Sequence, residues 1–67
     1  MREKEHWMIK GGKVIALGKS GVITALQENH LKGKDYVYYI NVKILGQKFS
    51  GKYHPSDVNE LETEQNN

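Results

Sequence analysis

The sequence contains no cysteine. Disulfides and a thiolate zinc site are therefore excluded. Long apolar runs are missing too. The hydrophobic stretches fall far short of the roughly 20 residues a membrane-spanning helix needs, and no signal-peptide pattern opens the chain. These absences lead us to expect a soluble protein of a reducing, cytoplasmic setting with no membrane contact. At 67 residues the chain is one small domain, near the lower limit at which a single core holds without staples. No feature requires a second copy, so a monomer is expected rather than a homodimer.

Acids are scarce where the bases are. All ten Lys and Arg lie in residues 1–54 with four acids, Glu3, Glu5, Glu28 and Asp35, whereas residues 55–67 hold four acids and no base. The body thus carries +6 and the tail −4, a separation that the net charge of +2 conceals.

What is present in strength is the stretch from Tyr36 to His54. Residues 36–45 are β-branched and aromatic, hold no Pro or Gly, and are bounded by Lys34-Asp35 and Gly46, which is a strand signature. Period 2 separates strand from helix: Tyr36, Tyr38, Ile40, Val42 and Ile44 form one apolar face, and Val37, Tyr39, Asn41, Lys43 and Leu45 a mixed one. Gly46-Gln47 suits a two-residue type II′ turn. That turn pairs Leu45 with Lys48, Ile44 with Phe49, Lys43 with Ser50, Val42 with Gly51, Asn41 with Lys52, Ile40 with Tyr53 and Tyr39 with His54.

Partners across a ladder share a face. Ile40, Val42, Ile44, Phe49, Gly51 and Tyr53 are therefore expected in the core. Tyr39, Asn41, Lys43, Leu45, Lys48, Ser50, Lys52 and His54 are expected outward. A slip of one residue would bury the lysines, so the alternation supports this register. Gly51 opposite Val42 suits a bulge or sharp bend.

Before the hairpin, Met1 to Glu5 is charged and expected to fray. An extended segment then brings Trp7 and Ile9 against the rest. Gly11-Gly12 is a turn, Lys13–Leu17 a strand, Gly18–Gly21 a turn and Val22–Gln27 a strand, with Val14, Ala16, Ile23 and Ala25 inward. Glu28 to Asp35 is a polar loop with Lys32-Gly33-Lys34 at its tip, and Leu31 folds back from it. After the hairpin, Pro55 suits the first position of a 3₁₀ turn and Asp57 its positive end. That turn aims Val58 and Leu61 inward and feeds a short last strand over residues 59–62. The acidic tail, 63–67, is expected to be disordered.

The fold class expected is thus mainly β: a small five-stranded SH3-like barrel over residues 10–62, with an N-terminal extension at 1–9 and a 3₁₀ turn before the last strand. At Gly12-Lys13-Val14-Ile15-Ala16-Leu17-Gly18-Lys19-Ser20-Gly21-Val22-Ile23 the chain resembles the opening of KOW-type SH3-like barrels, which occur in ribosomal proteins and transcription elongation factors. Phe49, Pro55-Ser56-Asp57-Val58 and Leu61 resemble the end of such barrels. The loop between the first two strands, which often contacts RNA in KOW domains, is shorter and less Gly-rich here. What the resemblance implies is a binding module without catalysis.

Three motifs invite chemistry, and each has a simpler account. Gly18-Lys19-Ser20 lacks the four-residue spacing between glycines of a phosphate loop and precedes a strand, where a phosphate loop needs a helix N-terminus. His54, Ser56 and Asp57 are the residue types of a hydrolytic triad, but neighbours in one tight turn rarely converge, and a turn with Ser56 or Asp57 capping the backbone is expected. His6, His30 and His54 lack ligand spacing, so no metal and no cofactor are expected.

The constellation that remains is the outward face of the hairpin: Tyr39, Asn41, Lys43, Lys48, Lys52 and His54. Its lysines lay positive charge along about 10–15 Å of strand, and its rings offer stacking surfaces. Exposed lysines also serve solubility and blunt sheet edges. The expectation is a non-catalytic module contacting RNA, DNA or a nucleoprotein complex. The alternative is a small protein-interaction or regulatory accessory module, docking by an edge strand or an aromatic patch that includes Trp7.

Overall fold

A computed structural model describes residues 1–61 of the chain. The expected plan is present: a curled antiparallel sheet forms a half-barrel, with a 3₁₀ turn before its last strand. The strands are β1 (Arg2–Glu3), β2 (Lys13–Ala16), β3 (Lys19–Leu31), β4 (Lys34–Ile44), β5 (Gly51–Tyr53) and β6 (Val58–Glu60), the 3₁₀ turn being Pro55–Asp57. The sheet runs β1-β4-β3-β2-β6, and β5 lies beside β4. The five expected strands are thus β2 to β6. Among the described residues no helix is long and apolar enough to cross a membrane.

The expected frayed start is instead tied down. Arg2 and Glu3 pair with Val37 and Tyr36, and the Lys4 amide donates to Asp35 O at 2.8 Å. The turn that follows carries Trp7 and Met8 into the core, while Ile9, expected to pack, is exposed. Trp7 is therefore part of the interior and offers no docking patch.

The polar loop expected over Glu28–Asp35 does not exist as a loop. Both strands continue to Leu31 and Lys34, closed by a two-residue turn at Lys32-Gly33 with φ of 51° and 80°. Those paired positive values are the type I′ geometry that matches strand twist. Leu31 faces solvent and does not fold back. The turn expected at Gly18–Gly21 sits slightly earlier, at Leu17-Gly18, again with both φ positive.

Two bulges decide which side chains reach the core. In the β3–β4 ladder Ile23 faces Val42 but Ala25 faces Asn41, leaving Thr24 as an extra residue; Gln27 faces Tyr39 but Glu28 faces Val37, leaving Tyr38 extra. Each extra residue reverses the alternation beyond it. Ala25, expected inward, is exposed, and Leu26 packs on the core instead. Val37, expected on the mixed face, is fully buried. Tyr36 and Tyr38, expected on the apolar face, are only half-buried.

The hairpin register holds in part. Ile40–Tyr53, Asn41–Lys52 and Val42–Gly51 pair as expected. The reversal is longer than the two residues expected, running over Leu45–Ser50. A β-turn at Ile44–Gln47 puts Gly46 third, with φ of 91° and the Gln47 amide donating to Ile44 O at 3.0 Å. A glycine at that third position is the requirement of a type II turn, not II′. The end of β4 stays with β3: Ile44 faces Gly21, Lys43 faces Val22, and the Leu45 amide donates to Ser20 O at 3.0 Å. The Lys43–Ser50, Ile44–Phe49 and Leu45–Lys48 pairs do not form. Phe49, expected in the core, is 80% exposed.

The interior is Trp7, Met8, Val14, Ala16, Ile23, Val37, Ile40, Val42, Ile44 and Val58, with Leu26 and Tyr53 against it. Val58 is buried as expected and Leu61 half-buried. The last strand begins at Val58, one residue earlier than expected. Residues 63–67, the expected disordered tail, lie outside the described residues.

Candidate functional site

Tyr39, Asn41 and Lys43 alternate along β4 on the side away from the core. Cross-strand pairing sets Gln27 beside Tyr39, Ala25 and Lys52 on either flank of Asn41, and Val22 beside Lys43. The Lys52 ammonium sits over the Tyr39 ring, 4.8 Å from its centroid. Four of the six expected residues therefore share one surface. A shallow groove of about 270 Å³ runs between Ala25, Leu26, Gln27, Asn41 and Lys52. A second, of about 310 Å³, lies between Lys43, Val22, Thr24 and the turn Ile44–Gln47.

Lys48 stands exposed in the Leu45–Ser50 loop. Thr24 ties this loop to the same surface. Its hydroxyl donates to Asn41 O at 3.3 Å and lies 2.7 Å from Ser50 Oγ. The bulge that displaces Ala25 thus also presents the anchor for the loop.

His54 does not pair with Tyr39, because the β5 ladder ends at Tyr53. It caps the 3₁₀ turn, with Nδ1 accepting from the Ser56 amide at 3.2 Å and lying 2.8 Å from Ser56 Oγ. His54 and Ser56 do converge, contrary to expectation, and what they build is a cap. Lys19 and Ser20 lie within β3, so no helix follows Gly18. His6 approaches Glu60 at 3.6 Å and His30 meets Asp35 at 2.7 Å. No group of three metal-ligating side chains comes together among the described residues.

Charge is distributed unevenly over the fold. The ion pairs among the described residues are Arg2–Glu5, Lys4–Glu28, His6–Glu60, His30–Asp35 and Lys34–Glu3. None includes Lys43, Lys48 or Lys52. A groove of about 460 Å³ between Glu3, Lys4, Glu5, His6, Lys34 and Asp35 carries both signs, and its charged groups are engaged in ion pairs within it or at its rim. Its field is compensated. The β4–β5 face bears ammonium groups and no carboxylate, so its field is not.

Sequence reasoning missed Ala25 and Gln27, the floor of the groove, because their outward placement depends on the Thr24 bulge. Comparison with protein-family models, curated proteins and solved structures gives no match for this chain.

Proposed function

We propose that this chain is a non-catalytic module that binds nucleic acid, or a nucleoprotein complex, through the outward face of β4 and β5 and the adjoining loop. The observation that carries this reading is that Lys43 and Lys52 share the outward face with Tyr39 and Asn41, Lys52 over the Tyr39 ring, and that neither they nor Lys48 in the adjoining loop has a carboxylate partner among the described residues. Ammonium groups without intramolecular partners attract phosphate, and a polyanion gains further because its counterions are released. The resemblance of residues 12–23 to the opening of KOW-type barrels supports only the coarser part of this reading, a binding module without catalysis.

Titration with short RNA and DNA oligonucleotides at low salt, followed by amide NMR shifts, tests it. Shifts are expected between residues 39 and 52 and on the facing positions 24 to 27, and they should fade as salt rises. If those amides stay still, the reading is wrong.

One observation favours docking to a protein instead. Among the described residues β6 pairs in the sheet with β2 alone, which leaves its outer edge beyond Val58 for a further strand, the Val58 N–H and C=O being taken by Pro55 O and Arg2. A partner captured after nuclease treatment and displaced by substitutions in residues 58–60 would support it.

A further inference from the structure

We infer, resting on the nucleic-acid reading above, that the ligand is single-stranded and that Phe49 is a base-stacking residue at the edge of the lysine face. Phe49 is the most exposed large apolar side chain among the described residues. Folding gives no reason for a ring to stand in water, yet the loop that carries it is held at both ends. The Leu45 amide donates to Ser20 O, the Gln47 amide to Ile44 O, and Ser50 Oγ lies 2.7 Å from Thr24 Oγ1. That last contact holds Ser50, the residue after Phe49, against Thr24, whose hydroxyl also donates to Asn41 O.

Lysines alone would serve a duplex, whose phosphates are its accessible groups. An aromatic ring adds affinity only where a base face is free, and in a duplex those faces are covered by neighbouring bases. The described residues also offer less for reading a duplex than for stacking on a free base. Its single arginine, Arg2, is already bound to Pro55 O, Val58 O and Glu5, so no guanidinium is left to grip guanine. Among the described residues there is no α-helix to enter a major groove. Most charges of the β3–β4 ribbon are paired, Glu28 with Lys4, Asp35 with His30 and Lys34 with Glu3, which leaves Lys32 alone at its tip. Stacking is tolerant of base identity, so modest sequence preference is expected.

The test uses the whole chain with labelled oligothymidine and oligouridine strands and a DNA duplex of the same length, at low salt. The strands should bind roughly tenfold or more tighter than the duplex, and Phe49→Ala should weaken strand binding by roughly tenfold while leaving its salt dependence unchanged. Phe49→Trp should retain it. Because Phe49 is exposed, both variants should keep the wild-type circular dichroism spectrum. Equal or tighter duplex binding, or a Phe49→Ala variant that binds strands like the wild type, overturns the inference while leaving a lysine-dependent nucleic-acid reading in place. A wild-type chain that binds neither strand nor duplex overturns both.

Discussion

The guanidinium of Arg2 donates to the carbonyl oxygen of Pro55 at 2.9 Å, joining the first strand to the turn that precedes the last. The same nitrogen lies 3.2 Å from Val58 O, and the other terminal nitrogen binds Glu5. The side chain also stands 5.5 Å from the Trp7 ring centroid. In a half-barrel whose β1 and β6 are separated by three strands in the sheet, this side chain ties β1 to the 3₁₀ turn and to the start of β6. Removing it should matter more than removing an ordinary surface base. Arg2→Ala is expected to cost about 1–2 kcal/mol, the range for charge-assisted hydrogen bonds at a partly exposed site. Arg2→Lys should recover only part, because one ammonium cannot span both carbonyls and the carboxylate. Urea unfolding measures both.

Glu5 links that arginine to the buried indole. Its carboxylate accepts from Trp7 Nε1 at 2.9 Å and pairs with Arg2. The Trp7 hydrogen bond first, and the Arg2 bond second, hold its pKa below the ordinary 4.5. A carboxyl depressed on folding stabilises the fold above its unfolded value and loses that contribution as pH falls through the folded one. Stability should therefore decline below pH 4.5, and Glu5→Gln should flatten that decline while lowering stability at neutral pH. Thermal unfolding across the acid range is the measurement.

Gly21 faces Ile44 where β3 and β4 cross the core. A Cβ there would stand 2.6 Å from Val42 Cγ1 and 2.8 Å from Lys43 O, closer than real side chains approach. Gly21→Ala should therefore cost about 1–3 kcal/mol by overpacking. A variant as stable as the parent in urea unfolding would show that the two strands separate there at little cost.

Thr24 is the anchor of the Leu45–Ser50 loop. Thr24→Val keeps the shape and removes the bonds to Ser50 and Asn41, so global stability should fall by only about 1 kcal/mol. The local effect should be larger. Hydrogen exchange at the Gln47 and Leu45 amides should quicken, and strand binding should weaken as the loop leaves the lysine face.

Lys43 and Lys52 are exposed, and stability should barely register their removal. Lys43→Ala with Lys52→Ala should change it by under about 1 kcal/mol, mostly through the Lys52–Tyr39 pair. Binding should respond instead: the slope of log K against log salt should fall by about 1.4, or 0.7 for each phosphate of a single strand that is no longer neutralised. An unchanged slope would remove these lysines from the interface.

Much of the outward face was legible because alternation in β4 is unbroken from Tyr39 to Lys43, and Gly51-Lys52-Tyr53 pairs where the pattern places it. Val37 and Ala25 were not legible. A bulge belongs to two strands at once: Tyr38 is extra only relative to β3, and Thr24 only relative to β4. Single-strand periodicity holds no record of either. Phe49 was misplaced for a related reason. Its apolar character pointed inward, but β4 keeps its bonds to β3 through Ile44 while the loop is drawn to Thr24.

The sequence by itself determined the strand class, the 3₁₀ turn at Pro55 and the inward set Val14, Ala16, Ile40 and Val42. These depend on residues near one another in the chain, through allowed backbone angles and an alternation of two. Tertiary structure alone decided the capture of the N-terminus by Arg2, the burial of Met8, and which lysines keep no acidic neighbour among the described residues. Those outcomes depend on sheet curvature and on bonds between residues up to 56 positions apart, where local preference has no reach.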